Sequence, residues 1–307
     1  MIITRPGKIV PGLYALAAME MPVFFLDGDR PALFDAGFAC LATAYIQEIE
    51  RTLADREPAF LFLTHSHFDH IGAVAPLKER YPGMDVCASP RVGALMERPS
   101  VIERIRMLSS AGEASAVEYV GDFPFDGRTF EPFTVDRALA DGDEISVSDD
   151  LTVQVIATPG HTRDCLSYYI PEKKVLIASE AVGIPDNTGY VVTDFLVDYD
   201  TFMESMERLD GLDIDVLCFG HNYIYTGEDC RGFIAGAKQY ARKFFQQVAD
   251  SLDEEQGDVS RVIQRLRAME YDKILEPKQP EPAYLMNLEA RIMAVQKRLA
   301  QAGERFS

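Results

Sequence analysis

The sequence predicts a layered α/β domain followed by a helical appendage, and three observations predict it. Short apolar runs of strand length alternate with segments of helical periodicity as far as Cys230. Beyond Cys230 the alternation stops and helical stripes alone continue. With 307 residues, 47% hydrophobic and 26% charged, the chain can bury one large core plus an extension.

The elements follow in order. Pro22–Leu26 and Pro31–Phe34 are apolar runs separated by Asp27-Gly28-Asp29-Arg30, a hairpin signal. Ala59–Leu63 is a short buried strand, and a helix over Ile71–Arg80 comes after it. Residues 91–135 form an insertion. In it, Val101, Ile102, Ile105 and Leu108 predict a helix, and Phe123-Pro124-Phe125 with Phe130 predict a loop. Such an insertion either roofs a site or buries its own aromatics at the surface. Leu151–Ala157, Val175–Ala178 and Val216–Phe219 are further strands. Thr201–Leu209 is a helix, with Phe202, Met206 and Leu209 at helical spacing.

Three apolar stripes then run to the end. The first is Phe233, Ala237, Tyr240, Phe244 and Val248; the second is Val259, Val262, Ile263, Leu266 and Met269. The third is Leu285, Leu288, Ile292, Val295 and Leu299, set off by Pro277–Pro282. They read as packing faces against the main domain or a second subunit, so a homodimer is one expectation. The expected domain division is 1–230 and 231–307.

Composition narrows the function classes. A net charge of −19 argues against capture of nucleic-acid phosphate or anionic lipid, and the expected partner is a small-molecule substrate. The five cysteines are odd in number and contain no CxxC, so neither a disulfide framework nor a cysteine zinc site is expected. Buried free thiols in a reducing, cytoplasmic compartment are the expectation. The first residues lack an apolar signal core, and no apolar run reaches about 18 residues, so no membrane span is expected.

All five histidines lie in three short motifs: His65, His67 and His70 in Thr64–His70, His161 in Thr158–Thr162, and His221 in Phe219–Asn222. Each motif follows the end of a predicted strand, where a layered scaffold places function. His65 and His67, two residues apart, can face one ion from a loop but not from a helix. Asp69 and His70 can face a second, with the hard oxygen of Asp69 completing a mixed nitrogen/oxygen set.

On these motifs the chain resembles the metallo-β-lactamase superfamily. Asp35-Ala36-Gly37, placed just after the hairpin, is similar to the superfamily's early Asp-x-Gly turn. The resemblance covers roughly residues 8–225 and implies a four-layer αββα sandwich with a two-metal site at one sheet edge. It assigns His65, His67 and His161 to one metal, and Asp69, His70 and His221 to the other. The bridging aspartate of the family aligns with Glu180, in a position where a Gly-Asp pair is usual and this chain has Ser179-Glu180. One extra methylene displaces the carboxylate by on the order of 1.5 Å. Glu180 can bridge, bind one metal or turn away; bridging or single-metal binding is expected, because two cations without a carboxylate between them repel.

The C-terminal helices resemble the glyoxalase II-like and quinolone-signal-response thioesterase-like members. The implied reaction is hydrolysis of an ester or thioester by a hydroxide held between two divalent ions of zinc, iron or manganese, with Asp69 as the catalytic residue orienting it. Asn222 and Tyr223, next to His221, are candidate substrate contacts. The same ligand set serves three alternatives: an iron-dependent oxidoreductase, a phosphodiesterase, and a regulatory binding protein with vestigial hydrolysis.

Overall fold

The computed structural model describes residues 1–120, 125–274 and 278–303, with side chains of 114–120 excepted. The expected loop residues Phe123 and Pro124, and Pro277 of the proline stretch, lie outside the described residues. The chain forms two compact units. The first comprises residues 1–157, 164–179 and 213–230; the second comprises 158–163, 180–212 and 231–307. The helical appendage therefore shares its unit with two segments from within the α/β region.

The first unit is built on two seven-stranded sheets. One orders Gly7–Val10, Leu13–Leu16, Val23–Leu26, Ala32–Phe34, Phe60–Phe62, Asp85–Ala88 and Arg137–Ala138 side by side. The expected hairpin is present, with Phe24 opposite Phe34 and Leu26 opposite Ala32. Phe60–Phe62 runs parallel to both its neighbours. A parallel strand is covered on both faces, which explains a run of three apolar residues without alternation. Phe60 and Phe62 enter one core and Leu61 the other.

The second sheet orders Ile2–Ile3, Ile224–Thr226, Val216–Cys218, Val175–Ile177, Leu166–Ile170, Leu151–Ala157 and Glu144–Ser148. In Leu151–Ala157 the alternate residues Leu151, Val153 and Val155 are buried, as a half-covered strand requires. They pack with Phe24, Phe34, Phe60 and Phe62 of the first sheet, so the sheets close face to face over a shared core. The outer face of the first sheet is covered by helices Ala42–Leu53, Val74–Arg80 and Pro90–Met96. Phe130 of the insertion is fully buried in that same core, with Phe125 and Phe133 packed against it. The insertion aromatics are therefore anchors of the main core, and its helix is longer than the apolar spacing indicated, spanning Pro99–Val120.

In the second unit, helices Phe233–Glu254, Val259–Met269 and Glu281–Ala302 realise the three stripes. Helix Tyr199–Asp210 begins two residues earlier than the apolar spacing indicated, because the Asp198 carboxylate accepts from Thr201 N and caps it. Lys238 is held by Glu207 and Asp210 at 2.5 and 2.7 Å. Phe195 packs against Phe202 and Phe244. Among the described residues, no helix is long and apolar enough to cross a membrane.

Candidate metal centre

Strand direction sets the stage. Val175–Ile177 and Val216–Cys218 are parallel neighbours, so their C-terminal ends share one edge of the sheet. His221 follows the second of these ends, and Ser179 the first. Phe60–Phe62 delivers Thr64 to the same edge: Thr64 O accepts from Leu166 N at 2.7 Å, and Leu63 O accepts from Tyr168 Oη at 2.6 Å.

The cluster Thr64–His70 differs from the expected loop in its second half. His67 is extended, at φ −69° and ψ 146°, and the chain then winds into a helical turn over Phe68–Ile71. Asp69 and His70 therefore project from a helical turn, and the expected helix resumes separately at Val74–Arg80. Gly72 permits a close approach to residues 37–39, because a Cβ there would stand 2.5 Å from both Ala39 N and Gly37 O. Gly112 of helix Pro99–Val120 packs just as closely on Phe68: a Cβ there would stand 2.7 Å from the ring. The insertion thus abuts the turn that carries Asp69.

Five of the expected ligands lie in the first unit. Donor atoms of Asp69, His70 and His221 lie within 4.8 Å of one another. Asp69 Oδ2 is 3.6 Å from His221 Nε2 and 4.0 Å from His70 Nε2. His65 Nε2 and His67 Nδ1 stand 2.9 Å apart, and the rings of His65 and His70 are 4.3 Å apart.

The hydrogen bonds behind these atoms settle which nitrogens face forward. Asp35, buried, has its carboxylate between two groups: Oδ1 accepts from Thr64 N at 2.8 Å, and Oδ2 accepts from His70 Nδ1 at 2.9 Å. A carboxylate only accepts, so His70 carries its proton on Nδ1 and offers a lone pair at Nε2. His221 Nδ1 donates to the Glu20 carbonyl at 2.6 Å, with the same result. Thr64 Oγ1 gives its single proton to Asp35 at 2.8 Å, so it accepts from His65 Nδ1 at 3.0 Å. His65 Nε2 then also presents a lone pair. Imidazoles whose rear N–H is held by a carboxylate, hydroxyl or carbonyl are oriented as metal ligands are. Two hard-to-intermediate nitrogens and a carboxylate oxygen fit a divalent ion such as zinc, iron or manganese.

The other two expected ligands belong to the second unit. There His161 Nδ1 donates to the Asp194 carbonyl at 2.8 Å, which again turns Nε2 outward. Glu180 is buried and is the second residue of a short 3-10 turn over Ser179–Val182. Ser179, immediately before it, has φ +51°, the left-handed region a glycine occupies without strain. Asp35, at φ +58°, is a second left-handed residue beside the cluster. Asn222 adopts φ +64°, and its N–H donates to the Met19 carbonyl at 2.5 Å. Asparagine is among the residues that tolerate a left-handed backbone.

Sequence reasoning missed the residues that hold the histidines from behind: Glu20, Thr64 and Asp194. Asp35 was legible only as part of an Asp-Ala-Gly turn. Glu20 and Asp194 act through backbone carbonyls and Asp35 across 35 residues, so none has a local signal; Thr64 bonds its own neighbour His65, but its proton is directed by the distant Asp35.

The chain matches the sequence pattern described as Metallo-beta-lactamase superfamily over residues 22–221, well over half its length. The chain belongs to that superfamily. It is similar to Glyoxylase B2 of Dictyostelium discoideum, 30% identical over 152 residues, a match covering 50% of this chain and 43% of that protein. It is also similar to a hydroxyacylglutathione hydrolase of Rhizobium meliloti, 26% identical over 216 residues and 68% of each chain. A solved metallo-beta-lactamase family protein of Thermus thermophilus superposes with a TM-score of 0.64 at 19% identity, over 96% of this chain and 95% of that one. That likeness shows the fold, the superfamily's αββα sandwich expected from the sequence, here with helices continuing to residue 302.

Proposed function

We propose that this superfamily member is a metal-dependent hydrolase of a small ester or thioester. The observation that carries the reading is the set of rear hydrogen bonds: His65, His70 and His221 each have Nδ1 tied to an oxygen, and Asp69 stands beside the last two. His161 and Glu180 are proposed to complete the ligand set, His161 through its Nε2 and Glu180 through its buried carboxylate. The names of the relatives support a thioester, since a hydroxyacylglutathione is one.

Divalent ions in such a set lower the pKa of water and polarise a carbonyl. The protein supplies the rest. Asp69, the carboxylate of the Thr64–His70 cluster, accepts the proton of the attacking water and holds it in line. Asp35 and the Glu20 carbonyl keep two imidazoles facing forward. Tyr223, partly buried beyond His221, contacts the substrate. Cys40 and Cys87 do not compete as nucleophiles: burial, with Glu113 and Asp126 nearby, pushes the Cys40 thiol up to about 12, and burial pushes Cys87 up to about 12 as well. Both stay protonated and are poor nucleophiles at neutral pH.

Metal analysis of protein purified without chelator, with a panel of thioesters, esters and phosphodiesters, tests the reading. Thioester or ester turnover is expected, falling about 10²–10⁴-fold in Asp69→Asn and vanishing with metal content in His65→Ala. Metal-loaded protein that turns over neither class would overturn it.

A further inference from the structure

We infer that the C-terminal helix Glu281–Ala302 is a brace for His161, with Arg291 and Asn287 acting through Asp194 as positioning residues. The inference rests on His161 being a metal ligand.

The His161 loop is held at several points by a single segment of the second unit. His161 Nδ1 donates to the Asp194 carbonyl at 2.8 Å. Gly160 O accepts from Val197 N at 3.0 Å, and Pro159 O accepts from Ser205 Oγ at 2.7 Å. Gly160 itself, at φ +132°, lies so close to helix Tyr199–Asp210 that a Cβ would stand 2.4 Å from Phe202 Cα. The ring of His161 is therefore aimed by residues 194–205.

That segment is in turn tied to the last helix. Arg291 is completely buried, and its guanidinium serves two carboxylates. Toward Glu270 it makes a bidentate pair at 2.8 and 3.1 Å; toward Asp194 its Nε lies 3.3 Å from Oδ1. Asn287 Nδ2 donates to the other Asp194 oxygen at 3.1 Å. One turn along the segment, Lys297 pairs with Asp198 at 2.7 Å. Phe244 stacks under the guanidinium at 4.2 Å.

Burying an arginine between two carboxylates is costly, and an apolar trio of similar volume would stabilise the unit at least as well. What the ionic arrangement adds is direction. One Asp194 oxygen accepts from Asn287 and the other faces the Arg291 charge without a hydrogen bond, so the residue is held between two groups of the last helix while its backbone carbonyl meets the Nδ1 proton of His161. A carbonyl in that role fixes both the tautomer and the ring plane of a ligand.

The test is nuclear magnetic resonance of the full chain, 15N-labelled and metal-free, held at pH 8. Only five histidines are present, so the His161 ring is assigned by its loss in His161→Gln. Wild-type His161 is expected as the single Nδ1–H tautomer. Asp194→Ala is expected to turn it into a tautomer mixture and to weaken zinc binding about 10–100-fold. Asp194→Asn, which keeps an oxygen for Asn287, should fall between. The Glu270–Arg291 pair survives in both variants. Should Asp194→Ala not fold, Asn287→Ala carries the same readouts with a smaller effect. A folded variant with the wild-type His161 tautomer overturns the brace. If instead His161→Gln binds zinc as wild type does, the ligand assignment is what fails, and the tautomer measurement still decides the brace.

Discussion

Asp35→Asn isolates the tautomer argument with a single atom. The side chain keeps its size, but one oxygen becomes an NH2 that cannot accept. Two arrangements are available. If the remaining oxygen stays at Oδ1, it still serves Thr64 N at 2.8 Å. The NH2 then faces His70 Nδ1, 2.9 Å away, and the imidazole must present a lone pair there. The His70 proton moves to Nε2, the atom directed at Asp69, and the ligand is lost. If the oxygen instead takes the Oδ2 position, His70 is preserved, but the NH2 confronts the Thr64 N–H. Binding the ion through His70 Nε2 therefore forces the second arrangement, in which one buried hydrogen bond is lost relative to the first, worth about 1.5–3 kcal/mol. At about 1.4 kcal/mol per tenfold, zinc affinity should fall roughly 10- to 150-fold, which overlaps the range for losing an outer partner of a metal-bound histidine. Competition with a chromophoric chelator measures it, with circular dichroism confirming the fold. A folded variant with wild-type affinity and stoichiometry would refute the assignment of His70 as a ligand oriented by Asp35.

Two further predictions concern the scaffold. Gly72→Ala places a methyl 2.5 Å from two backbone atoms and should cost about 1–3 kcal/mol in stability, read by denaturant unfolding of the metal-free protein; an unchanged midpoint would show that Phe68–Ile71 is not wedged against residues 37–39. In the second unit, burial alone would raise the Glu270 carboxyl, but Arg291, Tyr284 and Tyr190 outweigh it and hold its pKa below the ordinary 4.5. A depressed carboxylate contributes stability above its unfolded pKa and loses it as pH falls through the folded value. Wild type should therefore lose stability on acidification below about pH 4.5, and Glu270→Gln, weaker at neutral pH, should lack that part of the slope; parallel stability–pH curves for the two would count against the pairing.

Legibility in the sequence followed the range of the interactions. Strand runs such as Leu151–Ala157 were readable because burial on one face imposes a period of two within seven residues. The histidine motifs were readable because ligand types cluster at strand ends. The helical turn under Asp69 and His70 was not, because a four-residue turn has no periodicity to detect; it is tied to the distant residues 36 and 37 by backbone hydrogen bonds, Ala36 N to His70 O and Gly72 N to Gly37 O, both 2.7 Å. The grouping of 158–163 and 180–212 with the C-terminal helices was equally hidden, since it depends on ion pairs such as Lys297–Asp198 across about a hundred residues.

By itself the sequence determined the α/β order, the helical continuation and six candidate ligands, because periodicity and residue chemistry are local properties; the seventh, Glu180, came from the family resemblance. Tertiary structure alone decided which nitrogen is presented by four of the five rings, His65, His70, His161 and His221. That choice is made by Asp35, Thr64, the Glu20 carbonyl and the Asp194 carbonyl, and backbone oxygens leave no trace in residue identity. It also showed that Asn222 adopts a left-handed backbone and that Phe130 of the insertion is buried in the main core. For Glu180, the sequence supplied the extra methylene; the fold supplied burial and a left-handed Ser179 before it, the backbone from which its carboxylate must reach.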